Sequence, residues 1–347
     1  MSDDADTARH PGQRPGEGPR ERPGQPADQR PARPRVLAST ASLMMHPLGW
    51  ALDVIAEAGF TGAELLLTHQ RPTRDVPMIE AFLRETGLDL PAVHGPYMLL
   101  LRSALGRDYR TKTARSLEIA GELGAQVMIA HAPFRWERRA LGWLRDGEAE
   151  QRADATGVAF GMENLFPVRG RALSAVISPE DLAPYPHVVF DTSHFAVAGI
   201  DLLTAWDALA DRVVHIHLSD NQGAGRDSHA PIGTGVLPLQ AFLARVGASG
   251  FAGTITLELD CRAHRDDRRG LVAFLDQQRR VTEALLDGAG PPLPSTAAGL
   301  DAASGLDAPA GLDAPAGRDA PAPRVGGRSR GRLAWTPFGF TRTGADR

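Results

Sequence analysis

The chain has 347 residues, 42% of them hydrophobic, and its 38 basic and 42 acidic side chains leave a formal charge of −4. That balance disfavours a nucleic-acid partner without excluding one, and no run approaches the roughly 18 unbroken apolar residues of a membrane helix. The single cysteine, Cys261, excludes an internal disulfide framework and a cysteine-rich zinc module; with no apolar leader at the start, the expectation is a cytoplasmic protein without membrane association.

Residues 1–34 mix proline and glycine with alternating arginine and acid, and they show no apolar period. They are expected to form a disordered tail. From residue 35 short Val-, Ile- and Leu-rich runs begin, as expected of parallel strands covered on both faces. In chain order these are Val36–Ser39, Gly62–Leu67, Leu90–His94, Val127–His131, Val158–Glu163, His187–Asp191, Val213–Leu218 and Thr254–Leu259. Amphipathic segments alternate with them: Leu48–Ala58, Met78–Thr86, Tyr109–Leu123, a weaker Phe134–Gly157, Leu202–Ala210, Leu239–Val246 and Arg269–Leu286. Eight such β–α units within residues 35–286 predict an α/β fold, a (β/α)8 TIM barrel. Residues 287–347 repeat Gly-Leu-Asp-Ala at Gly299, Gly305 and Gly311, with a degenerate copy at Gly317, and predict a second disordered tail. The aromatic close from Leu333, LAWTPFGFTR, is read as part of that tail in preference to a docking motif.

The polar residues that close the strands carry the chemistry. The third strand ends on His94, the fourth on His131, the fifth on Glu163 and the sixth on Asp191, with His194 just beyond. The seventh ends on His217 and Asp220, the eighth on Glu258. In a barrel these ends meet at one mouth, where active sites form. Carboxylates and imidazoles crowded there would repel or desolvate one another unless a cation takes them as ligands. Glu163, Asp191, His217 and Glu258 make a hard, oxygen-rich set suited to Mn²⁺, Mg²⁺, Co²⁺ or Zn²⁺. His94, His131, His194, Asp227 and His229 can build one or two further metal positions around it. For His194, Asp227 and His229 the competing role is orienting a ligand or binding substrate. His215 is assigned to the opposite strand face from His217 and to a structural role, and His46, His69, His187 and His264 have no spacing that argues for chemistry.

The ordered series HGPY at His94, HAP at His131, MEN ending beside Glu163, DTSH at Asp191, HIHLSD at His215, DSHAPIGTG at Asp227 and LEL at Leu257 resembles the xylose-isomerase-like TIM-barrel superfamily. The resemblance spans nearly all of residues 35–286 and implies one of two activities. In the sugar or sugar-phosphate isomerase and epimerase branch, one metal is held by residues matching Glu163, Asp191, His217 and Glu258. The two glutamates then act as opposed acid and base across a metal-stabilised enediolate. In the endonuclease-IV-type branch, up to three zinc ions hydrolyse a phosphodiester of abasic DNA. Its ligands match His94, His131, Glu163, Asp191, His194, His217, Asp227, His229 and Glu258, and Tyr97 falls where that branch places a tyrosine.

The opening RVLASTASLMMHPLGWALDVIAEAGFTGAELLL resembles the isomerase-type start and has no counterpart of a DNA-penetrating loop. The barrel segment also carries more acid than base. The expectation therefore leans to an isomerase or epimerase acting on a small carbohydrate, with a homo-oligomer possible. Phe134, Trp136, Phe166 and Arg169 are expected on loops over the mouth, and Arg169 or Arg226 is a candidate phosphate holder.

Overall fold

The apolar runs of residues 35–286 become eight parallel strands in the computed structural model of the chain. It describes residues 33–97, 101, 103–290 and 293, with only the backbone of 333–336 and 339–342. The strands are β1 (Arg35–Ser39), β2 (Gly62–Leu66), β3 (Asp89–His94), β4 (Val127–His131), β5 (Ala159–Glu163), β6 (Val188–Asp191), β7 (Val213–Leu218) and β8 (Thr254–Leu257). They pair in chain order, and β1 returns to β8 with Val36 opposite Ile255, so the sheet closes on itself.

Helices cover the outside: α1 (Leu48–Glu57), α2 (Val76–Thr86), α3 (Tyr109–Glu122), α4 (Arg138–Arg145), α5 (Glu148–Thr156), α6 (Pro179–Leu182), α7 (Thr192–Val197), α8 (Leu202–Leu209), α9 (Leu239–Ala248) and α10 (Arg268–Leu286). Aspartates start several of them by accepting a backbone N–H of the first turn: Asp75 for α2, Asp108 for α3, Asp201 for α8 and Asp267 for α10. The segment expected as one helix over Phe134–Gly157 is two, because Gly147 takes φ 72° between them. The short α6 and α7 have no apolar period to reveal them. Side-chain caps from Ser178 and Asp191 make them instead.

Every second residue of a strand faces the barrel interior, and this alternation builds the floor beneath the mouth. Leu37, Ala92, Val127, Ile129 and Val189 form a separate apolar cluster. Gly161 lies among them because a Cβ there would come within 2.7 Å of a Val189 methyl group. One step further along the same stripes stand Ser39 after Leu37, His94 after Ala92, His131 after Ile129, Glu163 after Gly161 and Asp191 after Val189. The apolar layer is dry and tightly packed, so the polar layer is held from below. A second aromatic core, Phe190 stacked on Phe242 at 5.3 Å and edge-on to Trp206, fixes β6 from outside.

The expected tails, residues 1–34 and 287–347, lie mostly outside the described residues. Where they are described, Leu333–Thr336 (β9) pairs antiparallel with Gly339–Arg342 (β10). Among the described residues, no helix is long and apolar enough to cross a membrane.

Candidate metal centre

Glu163 closes β5 and Asp191 closes β6, and Asn164 ties the two ends together. Its side chain accepts from Asp191 N at 2.8 Å and donates to Asp191 O at 3.1 Å. Asp191 Oδ1 accepts from His194 N at 2.7 Å, capping α7 and turning His194 back over the mouth. Ser193 Oγ donates to Asp227 Oδ1 at 2.6 Å, so the DTSH segment anchors a residue that lies 34 positions later.

The loop after β7 is organised by Asp220. Its carboxylate accepts from the backbone N–H groups of Asn221, Gly233, Gly235 and Leu237 at 2.8–3.1 Å. Gly235 is needed because a Cβ there would collide with the Asn221 carbonyl and the Asp220 carboxylate. The loop folds back so that Asp227 and His229 reach the mouth, with His229 itself at φ 42°. Asp220 is thus a loop organiser and stays out of the cluster.

All nine residues singled out in the sequence converge. His94, His131 and Glu163 form one triad; Glu163, Asp191 and His194 a second; Asp191, His217 and Glu258 a third; His194, Asp227 and His229 a fourth. Within each triad the donor atoms lie within 4.8 Å of one another. Glu163, Asp191 and His194 are each shared, so the groups overlap around a central position. Eight of the nine residues are buried, and His131 is partly exposed. Tyr97 joins them: its hydroxyl donates to Glu258 Oε1 at 3.3 Å, and its ring stacks on His131 at 5.3 Å.

These donors fit divalent cations. Glu163 Oε2 and Asp191 Oδ2 are buried oxygens with no aligned hydrogen bond, although His131 Nε2 lies 2.8 Å from the former. Buried polar atoms in folded proteins are nearly always paired, and here several lone pairs aim at common points. Four buried carboxylates with neutral imidazoles would also leave a large uncompensated negative charge. The electrostatics report the same crowding. Burial pushes the Asp191 carboxyl up to about 6, with Glu163 and Asp227 adding to it against the pull of His194. Burial opposes charge on His194 and His229, yet Asp191 and Asp227 raise the first to about 10, and Asp227 raises the second to about 9. A proton or a cation would relieve the crowding at the same places.

One assignment from the sequence is corrected. His215 does not face away from His217: residues two apart on a strand share a face, and both rings point inward to Glu64. Glu64 on β2 was missed. It is fully buried, and Oε2 accepts from His215 Nε2 at 2.9 Å and from His217 Nε2 at 3.0 Å. The signal was present as a lone acid inside the apolar run GAELLL, since a carboxylate buried there must have partners.

Around the rim, Phe166 packs 4.8 Å from His194, and Trp136 stacks on Phe134 at 4.7 Å. The loops after β4 and β5 are joined by a Phe134–Ser174 bridge and by Arg135 Nε donating to Ser174 O at 2.9 Å. With the first turn of α4 they present exposed Arg135, Arg138, Arg139, Arg169 and Arg171 beside exposed Trp136. Among the described residues, no carboxylate pairs with Arg135, Arg138, Arg139 or Arg171. Arg169 and Gly170, at φ 52° and 72°, form the tip of a tight hairpin between Val168 and Arg171.

A family model, the xylose isomerase-like TIM barrel, matches residues 52–278. An uncharacterised protein of Mycobacterium leprae is 29% identical over 72% of this chain and 95% of its own length. A probable endonuclease 4 of the same organism is 25% identical over 54% of this chain and 77% of its own. Among solved structures, a D-tagatose 3-epimerase-like protein matches with a TM-score of 0.58 at 19% identity, covering 74% of this chain and 98% of that one.

Proposed function

The chain belongs to the xylose isomerase-like TIM barrel family, and from that premise we propose that it is a divalent-metal-dependent enzyme that cleaves a phosphodiester, in the manner of endonuclease-IV-type relatives acting on abasic DNA. One observation carries this reading: nine ligand-type side chains meet as overlapping triads at a single mouth. A one-metal isomerase needs Glu163, Asp191, His217 and Glu258. It leaves His94, His131, His194, Asp227 and His229 outside the metal set, to orient ligands or bind substrate. The outer triads, each with two imidazoles and a carboxylate, suit zinc. Cations held there supply Lewis-acid stabilisation of charge on the phosphoryl oxygens.

The chain's own groups do the rest. Glu163 bridges the inner and outer triads and fixes their separation. Tyr97 directs its hydroxyl to Glu258 Oε1 at 3.3 Å and holds that carboxylate against His217. The five exposed arginines of the β4 and β5 loops and the first turn of α4 gather positive charge beside the mouth of an otherwise acidic chain, which suits the phosphates flanking a scissile bond. The relative named as a probable endonuclease 4 agrees with this reading.

A second reading, a sugar or sugar-phosphate isomerase or epimerase, is favoured by a different observation. Glu163 Oε1 and Glu258 Oε2 approach the same His217 Nδ1, at 2.9 and 3.8 Å, as two carboxylates serving one intermediate would. The link between β1 and α1, residues 40–47, also carries no lysine or arginine. In that reading one glutamate removes the proton beside the substrate carbonyl and the other returns one.

The full chain loaded with zinc, incubated with an oligonucleotide containing one abasic site, tests the first reading. Incision at the site, absent from the undamaged oligonucleotide, is expected. Intact DNA together with solvent-deuterium incorporation into a ketose would move the conclusion to the second.

A further inference from the structure

Glu64, His215 and His217 also lie close enough to hold an ion, but their hydrogen bonding sets them apart from the triads built on Glu163 and Asp191. Every polar atom of this group already has a partner. Glu64 Oε2 accepts from both imidazoles, Glu64 Oε1 accepts from Ser39 Oγ at 3.2 Å, and His215 Nδ1 meets Thr254 Oγ1 at 2.6 Å. Glu163 Oε2 and Asp191 Oδ2, by contrast, have no aligned hydrogen bond.

We propose that Glu64 is a positioning residue: by accepting the Nε2–H of His217 it fixes that tautomer and turns Nδ1 towards Glu163, Asp191 and Glu258 as a cation donor. The order of the hydrogen bonds gives this its direction. A carboxylate accepts and never donates, so the hydrogen of each imidazole facing Glu64 sits on Nε2. His217 Nδ1 faces the mouth carboxylates, 2.9 Å from Glu163 Oε1 and 3.7 Å from Asp191 Oδ2, so by the same rule it carries a hydrogen in the metal-free chain; a cation at the mouth would replace that hydrogen, while Glu64 keeps the one on Nε2. Thr254 and His215 hold the Glu64 carboxylate in place, and the pair on β7 is possible because residues 215 and 217 share one strand face. Outer partners of this kind orient a ligating imidazole and are worth about 10–100-fold in metal affinity. The proposal rests on the metal reading above but not on which reaction the metal serves.

The test compares the wild-type chain with Glu64→Leu and Glu64→Gln, using zinc alone as the probe. Zinc affinity is read by chelator competition, and the His217 tautomer by long-range ¹H–¹⁵N correlation on histidine-labelled protein. In Glu64→Leu one zinc position is expected to weaken about 10–100-fold while the others hold, and His217 departs from the Nε2–H form. Glu64→Gln should keep that tautomer, because its amide oxygen can accept both imidazole hydrogens while its NH₂ turns to Ser39. Unchanged zinc affinity and tautomer in folded Glu64→Leu would overturn the proposal. If that variant does not fold, a zinc-loaded wild-type His217 protonated on Nδ1 overturns it equally, and one protonated on Nε2 supports it. Wild-type protein that takes up no zinc would overturn the metal reading and this inference together.

Discussion

Asp227 Oδ2 stands 2.6 Å from His229 Nε2, and the opposite nitrogen of the same ring stands 2.9 Å from the Glu258 carbonyl. The imidazole is bracketed by two acceptors. Only two species satisfy that arrangement: an imidazolium donating to both, or a neutral ring that donates to the carbonyl and shares a cation with Asp227. On the metal reading the mouth would exchange protons for metal, and its stability should depend on pH in a direction that can be worked out.

Because the folded values of His194 and His229 are raised to about 10 and about 9, their contribution to stability is complete below the ordinary histidine value of about 6.5. It is lost as pH rises through 9 and 10. The chelator-treated chain should accordingly melt at lower temperature at pH 10 than at pH 7. A shift of several degrees is expected, since about 1 kcal/mol moves a domain of this size by about 2–4 °C. The zinc-loaded chain should show little of this slope. A melting temperature that rises over the same interval in the chelated protein would contradict the arrangement.

Glu163 belongs to two triads and Asp227 to one. Glu163→Gln should thus cost more bound zinc than Asp227→Asn, and both should lose turnover with the fold retained by circular dichroism. Elemental analysis of the purified variants checks the order. Equal zinc content in the two would remove Glu163 from its bridging place.

The arginines that open α4 beside the β4 loop separate binding from chemistry. The double variant Arg138→Glu, Arg139→Glu should weaken oligonucleotide binding in anisotropy titrations and lower the salt slope by about 2, roughly one for each phosphate that is no longer neutralised. Turnover of bis(p-nitrophenyl) phosphate, which has no flanking phosphates, should stay near wild type. An unchanged salt slope would place the strand elsewhere.

Asp220 holds four backbone N–H groups of the loop that carries Asp227 and His229. Leaving a buried N–H unpaired costs about 1–3 kcal/mol, so Asp220→Ala should destabilise the chain by roughly 3 kcal/mol or more in urea titration. It should also weaken zinc binding at the outer triad of His194, Asp227 and His229. Full zinc content with unaltered stability would show the loop to be held by other interactions.

Much of this was legible from residue order. The strand runs stand within one or two residues of their expected bounds, because a parallel strand buried on both faces reads as an unbroken apolar run. His94, His131, Glu163, Asp191 and Glu258 were visible as polar stops on those runs. Glu64 was not, because it sits inside its run and its partners are 151 and 153 residues away. The error over His215 came from misjudging the two-residue period, which the spacing HIH states directly. Of the arginine rim only Arg169 was singled out, for a third reason. Its members are scattered over residues 135–171 and come together only through the bridge between Phe134 and Ser174, whereas net charge averages them away.

Metal content decides most directly what the mouth is built to do. Mass-spectrometric elemental analysis of the full chain, saturated with zinc and freed of excess by gel filtration, should give close to three ions per chain. One ion per chain would contradict the multinuclear centre and leave the four-ligand set of Glu163, Asp191, His217 and Glu258 as the whole of the site.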